Sequence, residues 1–355
     1  TPDFDVTHGF HFDEAFDVVA GEVAAVQTAV GLAEVNGFNR IEITGPDTHR
    51  FLDHMICGRV TAKPGRVGLG YLLNEHGCVK AEATVANLPD GSVWYGSAAA
   101  SEWHDMDWLA GHSDGFDVSL RSLTNDWTIM VLAGPNARDV LSAVSRDDWS
   151  KAAFPWLSVR HAFIGVAPAV VMSVSFSGEL AYEIHVPNNQ LYAAYLALKG
   201  AGAGHGLRLF GARAVEAMRM EKGFLHWKAD LITEFDPFET GLDRCVKLDK
   251  DFVGKEALLA RRKSGLTRKL VSLHLSETGA PAHGGASLMR DGGVVGTVTS
   301  GDWGHRVGMN LAYAFVLPEL AEIGTVHEID ILGKMVSATV IDPAPYDPQM
   351  TLPRG

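Results

Sequence analysis

Val19, Val23, Val26 and Val30 fall at i, i+4, i+7 and i+11, so residues 14–30 read as an amphipathic helix stopped by Gly31. Residues 39–44 then alternate as a strand. Gly45-Pro46-Asp47 turns the chain into a helix carrying Phe51, Leu52 and Met55 on one side. The same phrase returns 89 positions later: a strand over 129–133, the turn Gly134-Pro135-Asn136, and a helix over 137–144 with Val140, Leu141 and Val144 in matching places. This repeat predicts two related α+β subdomains.

Between the two copies, Leu72-Leu73-Asn74-Glu75-His76-Gly77 marks a turn between strands, and Asp90-Gly91 is a hairpin signal between residues 82–86 and 92–95. Helices are expected over 189–199, with Leu191, Tyr195 and Leu198 on one side, and over 211–222. A charged linker near 260–268 follows. Beyond it come six short β-rich segments, 270–275, 286–289, 294–299, 312–316, 326–332 and 335–341, which suggest a small barrel or sandwich. The expected division is residues 1–264 and 265–355.

One stretch carries a charge where alternation leaves it away from the core. In Phe176-Ser177-Gly178-Glu179-Leu180-Ala181-Tyr182-Glu183-Ile184-His185-Val186-Pro187, Leu180, Tyr182, Ile184 and Val186 share one face, and Ala181, Glu183 and His185 share the other. Glu183 so placed is either a solvated surface acid or a ligand acceptor. A pterin or guanine-like ring presents a ring N–H beside an exocyclic amine, and one carboxylate accepts both.

Composition bounds the rest. At 355 residues, 46% hydrophobic and 21% charged, the chain is long enough for two or three packed units. A formal net charge of −13 argues against nucleic acid. The local basic run Arg261-Arg262-Lys263, followed by Arg268-Lys269, is read as a solvated stretch between domains or a contact for an anionic ligand tail. Cys57, Cys78 and Cys245 have no C-x-x-C or zinc spacing, which suits free thiols in a reducing, cytoplasmic setting. No membrane span and no signal peptide are expected. The chain opens at Thr1 without Met, which fits processing or one piece of a longer polypeptide. His8 and His11 near Asp13 lack a third metal ligand at local spacing, so no metal is expected. Gly200-Ala201-Gly202-Ala203-Gly204-His205-Gly206 gives G-x-G-x-x-G in no register and follows a helix rather than a strand, so it is read as a helix end.

Taken in order, several segments resemble the aminomethyltransferase family: glycine-cleavage T-protein and the tetrahydrofolate domains of dimethylglycine and sarcosine dehydrogenases. They are Leu72-Leu73-Asn74-Glu75 with Gly77, Glu82, Thr84 and Val85; the Phe176–Glu183 stretch; Arg219, Glu221-Lys222-Gly223-Phe224 and His226-Trp227; Pro237-Phe238-Glu239 with Gly241-Leu242; and Val246-Lys247-Leu248-Asp249-Lys250-Asp251-Phe252 with Gly254. Val295-Gly296 and Val298-Thr299-Ser300-Gly301 resemble the family's C-terminal barrel. Pro345-Tyr346-Asp347-Pro348 resembles the tail of the dehydrogenase branch.

The resemblance implies an α+β fold of two related ferredoxin-like subdomains and a C-terminal β-barrel around a central folate channel. It implies that Glu183 binds the pterin, with Thr84, Gly96, Phe176, Ile184, His185, Arg219 and Trp227 as further folate contacts. Pairing with Glu216 is the competing role for Arg219, and core packing is the competing role for Trp227. Glu82 stands at the catalytic position where the family has Asp, one methylene longer. Phe176 stands for Tyr, Leu69 for a Tyr of some members, and Lys228 for Gly. The implied activity is capture of formaldehyde or a methylene-iminium, released from an N-methyl amine, as 5,10-methylenetetrahydrofolate. Any FAD would sit on a separate domain or subunit, since no dinucleotide fingerprint is present. The alternatives are direct methyl transfer giving 5-methyltetrahydrofolate and a non-catalytic folate-binding module. Lys222-Gly223-Phe224 lacks the Lys-Gly-Cys of the iron–sulfur assembly relatives.

Overall fold

The computed structural model describes residues 10–12, 15–276 and 279–355. His8 and Asp13 of the N-terminal histidine cluster lie outside the described residues. Along the chain come α1 (Ala15–Thr28), β1 (Val30–Glu34), β2 (Ile41–Thr44), α2 (Thr48–Met55), β3 (Arg66–Leu73), β4 (Val79–Asn87), β5 (Val93–Gly96), α3 (Glu102–Gly111) and β6 (Ser119–Ser122). Next are β7 (Trp127–Ala133), α4 (Ala137–Val144), β8 (Val159–Ile164), β9 (Ala167–Met172), β10 (Ala181–Pro187), α5 (Leu191–Gly202), β11 (Leu207–Leu209), α6 (Ala212–Glu221) and α7 (Lys255–Ser264). The last six strands are β12 (Lys269–Leu275), β13 (Ser287–Arg290), β14 (Gly293–Gly304), β15 (Met309–Val316), β16 (Val326–Ile331) and β17 (Lys334–Ile341).

The repeat seen in sequence is a repeat in space. The first lobe is a sheet in the order β3-β4-β5-β2-β6, and the second a sheet in the order β11-β1-β7-β10-β9-β8. Each has a three-strand meander (β3-β4-β5, β8-β9-β10) whose last strand pairs antiparallel with the strand that opens the repeat, β2 or β7. That strand then enters α2 or α4 through a glycine at φ +124 (Gly45) or +126 (Gly134). A Cβ at Gly45 would stand 2.2 Å from Asp117 O, and one at Gly134 2.6 Å from Ala29 O, so both turns need glycine twice over.

Apolar alternation decides which face each sheet buries. Ile41, Ile43, Ala83 and Val85 pack under Phe51, Leu52, Met55 and Leu109 in the first lobe, whereas Leu132, Tyr182, Ile184 and Val186 pack under Val140, Leu141, Ala194 and Leu198 in the second. The remaining face of the second sheet has two covers. At one end α1 and α6 close over Ala133 and Ala181; at the other, Val170 and Met172 meet Val67, Ala86 and Trp94 of the first sheet.

The six C-terminal strands close into an antiparallel barrel, β12-β15-β14-β13-β16-β17, around Leu273, Leu288, Ala312, Ile329 and Ala338. It docks on α6 through buried charge. The Tyr313 hydroxyl donates to Met220 O at 2.7 Å, and Arg306 donates to Glu221, to Glu179 at 2.7 Å and to Met218 O at 2.8 Å. A register shift between Val298 and Ser300 turns the Thr299 and Ser300 hydroxyls onto Asp230 Oδ1, at 2.5 and 2.7 Å. The basic run Arg261-Arg262-Lys263, expected in a linker, is instead the last turn of α7, where cations oppose the negative end of the helix dipole. Among the described residues no helix is long and apolar enough to cross a membrane.

Candidate functional site

Glu183 and His185 project between the two covers of the second sheet, into a cavity of about 390 Å³ including its open mouth. The walls come from both lobes: Arg40 and Asn39 before β2, Thr84 and Ala86 on β4, Trp94 and Gly96 on β5, Ile129 on β7, Met172 on β9, and Glu183 and His185 on β10. No barrel residue lines it.

The polar floor is a chain of three side chains. Arg40 Nη2 donates to His185 Nδ1 at 2.5 Å, and His185 Nε2 lies 3.2 Å from Glu183 Oε2. Because a guanidinium has no acceptor, Nδ1 must be the lone-pair nitrogen and the ring proton sits on Nε2, directed at the carboxylate. Burial pushes the imidazole below its ordinary pKa. Burial also lowers Arg40, to about 10, against the pull of Glu183, so the guanidinium stays charged at neutral pH. The Glu183 side chain keeps 23% of its surface accessible, while that of His185 keeps 6%. The acid is therefore the group offered to a ligand, and the imidazole stands behind it.

Gly96 leaves room beside it. A Cβ there would meet Asn39 O at 3.5 Å and Thr84 O at 3.9 Å, ordinary contacts, so the fold itself would admit a side chain and the glycine keeps the cavity open. Asn39 is fixed by its own exchange with Ser97, Nδ2 to Oγ at 2.6 Å and Ser97 N to Oδ1 at 2.9 Å.

Glu82 shares its face of β4 with Thr84 and Ala86. It lies one side-chain step from Thr84, about 7 Å along the strand. It is half-buried and does not itself line the cavity. Burial pushes its carboxyl up to about 7, while the Tyr71 hydroxyl, donating to Oε1 at 3.1 Å, opposes that rise. A carboxyl half-ionised near neutrality is suited to taking a proton in one step and returning it in another.

The other expected site residues are placed elsewhere. The Ile184 side chain is fully buried with Tyr182 and Val186 in the second-lobe core, because strand alternation turns it away from Glu183. Arg219 is fully buried, and its five N–H groups meet acceptors from Glu216, Asp230, Phe224 O and Ser300, so it pins α6 to the barrel and has no donor left for a ligand. Phe176 stacks on Phe224, with centroids 5.9 Å apart and planes 15° off parallel. Trp227 donates Nε1–H to Lys80 O at 3.0 Å and packs with Leu231 and Phe238. Neither lines the cavity.

Sequence reasoning missed Arg40, Tyr71 and Trp94. Arg40 gave no local signal, since its partner lies 145 positions away. Tyr71 was hidden by a bulge: regular extension of the ladder from the Asn74–Gly77 turn pairs Tyr71 with Ala81, and the register shift between Leu72 and Leu73 sets it opposite Glu82 instead.

With this geometry in hand, comparison with known proteins is direct. A family model described as "GCVT N-terminal domain" matches residues 3–250, and one described as "Glycine cleavage T-protein C-terminal barrel domain" matches residues 268–347. Mitochondrial dimethylglycine dehydrogenase of Rattus norvegicus is 34% identical over 330 residues, 92% of this chain, which spans only 38% of that protein's length. An aminomethyltransferase of Saccharopolyspora erythraea is 31% identical over 325 residues, 91% of this chain and 88% of that protein. The solved glycine cleavage system aminomethyltransferase T from Bartonella henselae shares the fold, with a TM-score of 0.84 at 22% identity over 93% of this chain and 90% of that one. Two related α+β lobes, the closed barrel and both family models together establish that the chain belongs to the aminomethyltransferase (glycine cleavage T-protein) family of transferases.

Proposed function

We propose that the chain binds tetrahydrofolate and forms 5,10-methylenetetrahydrofolate from formaldehyde or a methylene-iminium released by N-demethylation of an amine, as the folate half of a demethylase or dehydrogenase. The observation that carries this reading is an accessible carboxylate, Glu183, at the floor of an inter-lobe cavity, with the near-neutral acid Glu82 one side-chain step along β4 beyond the lining residue Thr84. The residues present suit a reduced pterin. Glu183 accepts from a ring N–H and the neighbouring amine, Gly96 leaves the ring unobstructed, and Thr84 adds a hydroxyl. Bound tetrahydrofolate would supply nucleophilic amine nitrogens. Glu82 would take the proton released as the new C–N bond forms, and its charge would stabilise the cationic nitrogen. Water leaves when formaldehyde is the donor, and the free amine when an iminium is. The flavin of an amine oxidation would reside on a further domain or subunit, which agrees with the 38% share of the dimethylglycine dehydrogenase that this chain matches.

The near full-length match to an aminomethyltransferase, 91% of this chain and 88% of that protein, favours a second reading in which the carbon arrives as an aminomethyl group and ammonia leaves. Product analysis separates these. Methylenetetrahydrofolate formed from formaldehyde faster than the spontaneous reaction, and slowed by Glu82→Gln, supports the first reading. Ammonia release from an aminomethyl donor supports the second, 5-methyltetrahydrofolate would indicate direct methyl transfer, and no acceleration would leave a binding module.

A further inference from the structure

The only donor that the described structure aims at Glu183 is an imidazole whose own second nitrogen is capped by an arginine. We infer that Arg40 and His185 are positioning residues for Glu183: Arg40 holds the imidazole in the single tautomer that presents an N–H to the carboxylate, and the imidazole aims that carboxylate at the ligand. This rests on the reading of Glu183 as the ligand's acceptor.

Three groups face the His185 ring: Arg40 from the segment before β2, Glu183 on its own strand, and the Trp94 ring of β5, edge-on with centroids 6.0 Å apart. Arg40 is itself braced, with its guanidinium 5.2 Å from the Trp94 centroid and its backbone N–H donating to Thr124 Oγ1 at 2.9 Å. The arrangement decides the charge of the acceptor. A neutral N–H donating to Oε2 leaves the carboxylate its full charge for a ligand's amidine edge, whereas an imidazolium would form an ion pair that the ligand must break. Arg40 prevents the second state in two ways, by occupying the Nδ1 lone pair and by placing a positive charge next to it. Burial acts in the same direction.

Nitrogen-15 NMR of histidine-labelled full chain between pH 5.5 and 8 reads this without any ligand. The expected result is a neutral His185 with its proton on Nε2 throughout; an imidazolium at pH 7, or a proton on Nδ1, overturns the inference. The second arm is titration with tetrahydrofolate. His185→Leu is expected to weaken binding about tenfold, the loss of one hydrogen bond to a charged group, and His185→Gln to regain most of it, because an amide can accept from Arg40 and donate to Glu183. Arg40→Met is expected to make affinity pH-dependent, weaker at pH 6 than at pH 8, where the wild type is flat. Wild-type affinity in His185→Leu, or a flat profile in Arg40→Met, also overturns it. If the wild type binds no tetrahydrofolate while the NMR result holds, the folate reading fails and the tautomer lock stands.

Discussion

Tyr71 stands directly opposite Glu82 across the β3–β4 ladder, and its phenol donates to the carboxylate at 3.1 Å. The acid is thereby tied back to its own sheet. The hydrogen bond favours the ionised form and burial opposes it, leaving the carboxyl at about 7.

Activity that needs Glu82 as a base should rise with pH through about 7 and then level off. Tyr71→Phe removes the interaction that lowers this pKa, so the midpoint should move to higher pH, by about one unit for one hydrogen bond of ordinary strength. A pH–rate profile of kcat/KM for each protein checks both statements; a midpoint that moves down contradicts the pairing.

The same carboxyl should cost stability at high pH. Its folded pKa is raised from 4.5 to about 7, so the folded state holds the proton more tightly than the unfolded chain does, and stability falls as pH rises across that window. Glu82→Gln should therefore unfold at a higher denaturant concentration than the wild type at pH 8, by on the order of 2 kcal/mol, and match it near pH 4.5. Equal stability at pH 8 would show that the carboxyl ionises freely.

Arg219 and Asp230 are both fully buried, 2.7 Å apart. Asp230→Ala leaves Arg219 with Glu216 as its carboxylate partner and takes the acceptor from Arg219 Nη1, His226 N–H and the Thr299 and Ser300 hydroxyls, so it should destabilise the chain by about 3 kcal/mol or more. Arg219→Lys should not restore stability, because a lysine cannot span Glu216, Asp230, Phe224 O and Ser300 at once. Urea unfolding of the full chain measures both.

Gly45→Ala and Gly134→Ala test the repeat. Each puts a Cβ against a backbone oxygen at a φ that L residues avoid, so each should cost about 2 kcal/mol or more, and by similar amounts. Gly91→Ala makes a useful contrast: it has positive φ with nothing near its Cβ position, and should cost less.

The legibility of this chain follows the range of its interactions. The six barrel strands and the strand–turn–helix repeat were readable because alternation, glycine turns and helix spacing are local. Strand alternation had already set Ile184 opposite Glu183; only the carried-over family role made it a ligand contact, and the core position agrees with the pattern. β1, β8 and β9 passed unread. Ala167–Met172 is buried on both sides of its sheet for most of its length and gives little period-2 contrast, and in Val159–Ile164 the exposed Phe163 spoils the alternation of polar and apolar positions. The basic run of α7 was taken for a linker because charge alone says nothing of helix ends. Arg40 was beyond reach for a different reason, since its role exists only once β2 and β10 are brought together.

The most direct test of the whole account is calorimetric titration of tetrahydrofolate into the full chain and into Glu183→Gln. An amide in place of the carboxylate offers one acceptor and turns a donor toward the ligand's own N–H groups, so the account predicts saturable binding by the wild type and a loss of at least tenfold in the variant. Equal affinity in the two proteins would contradict it.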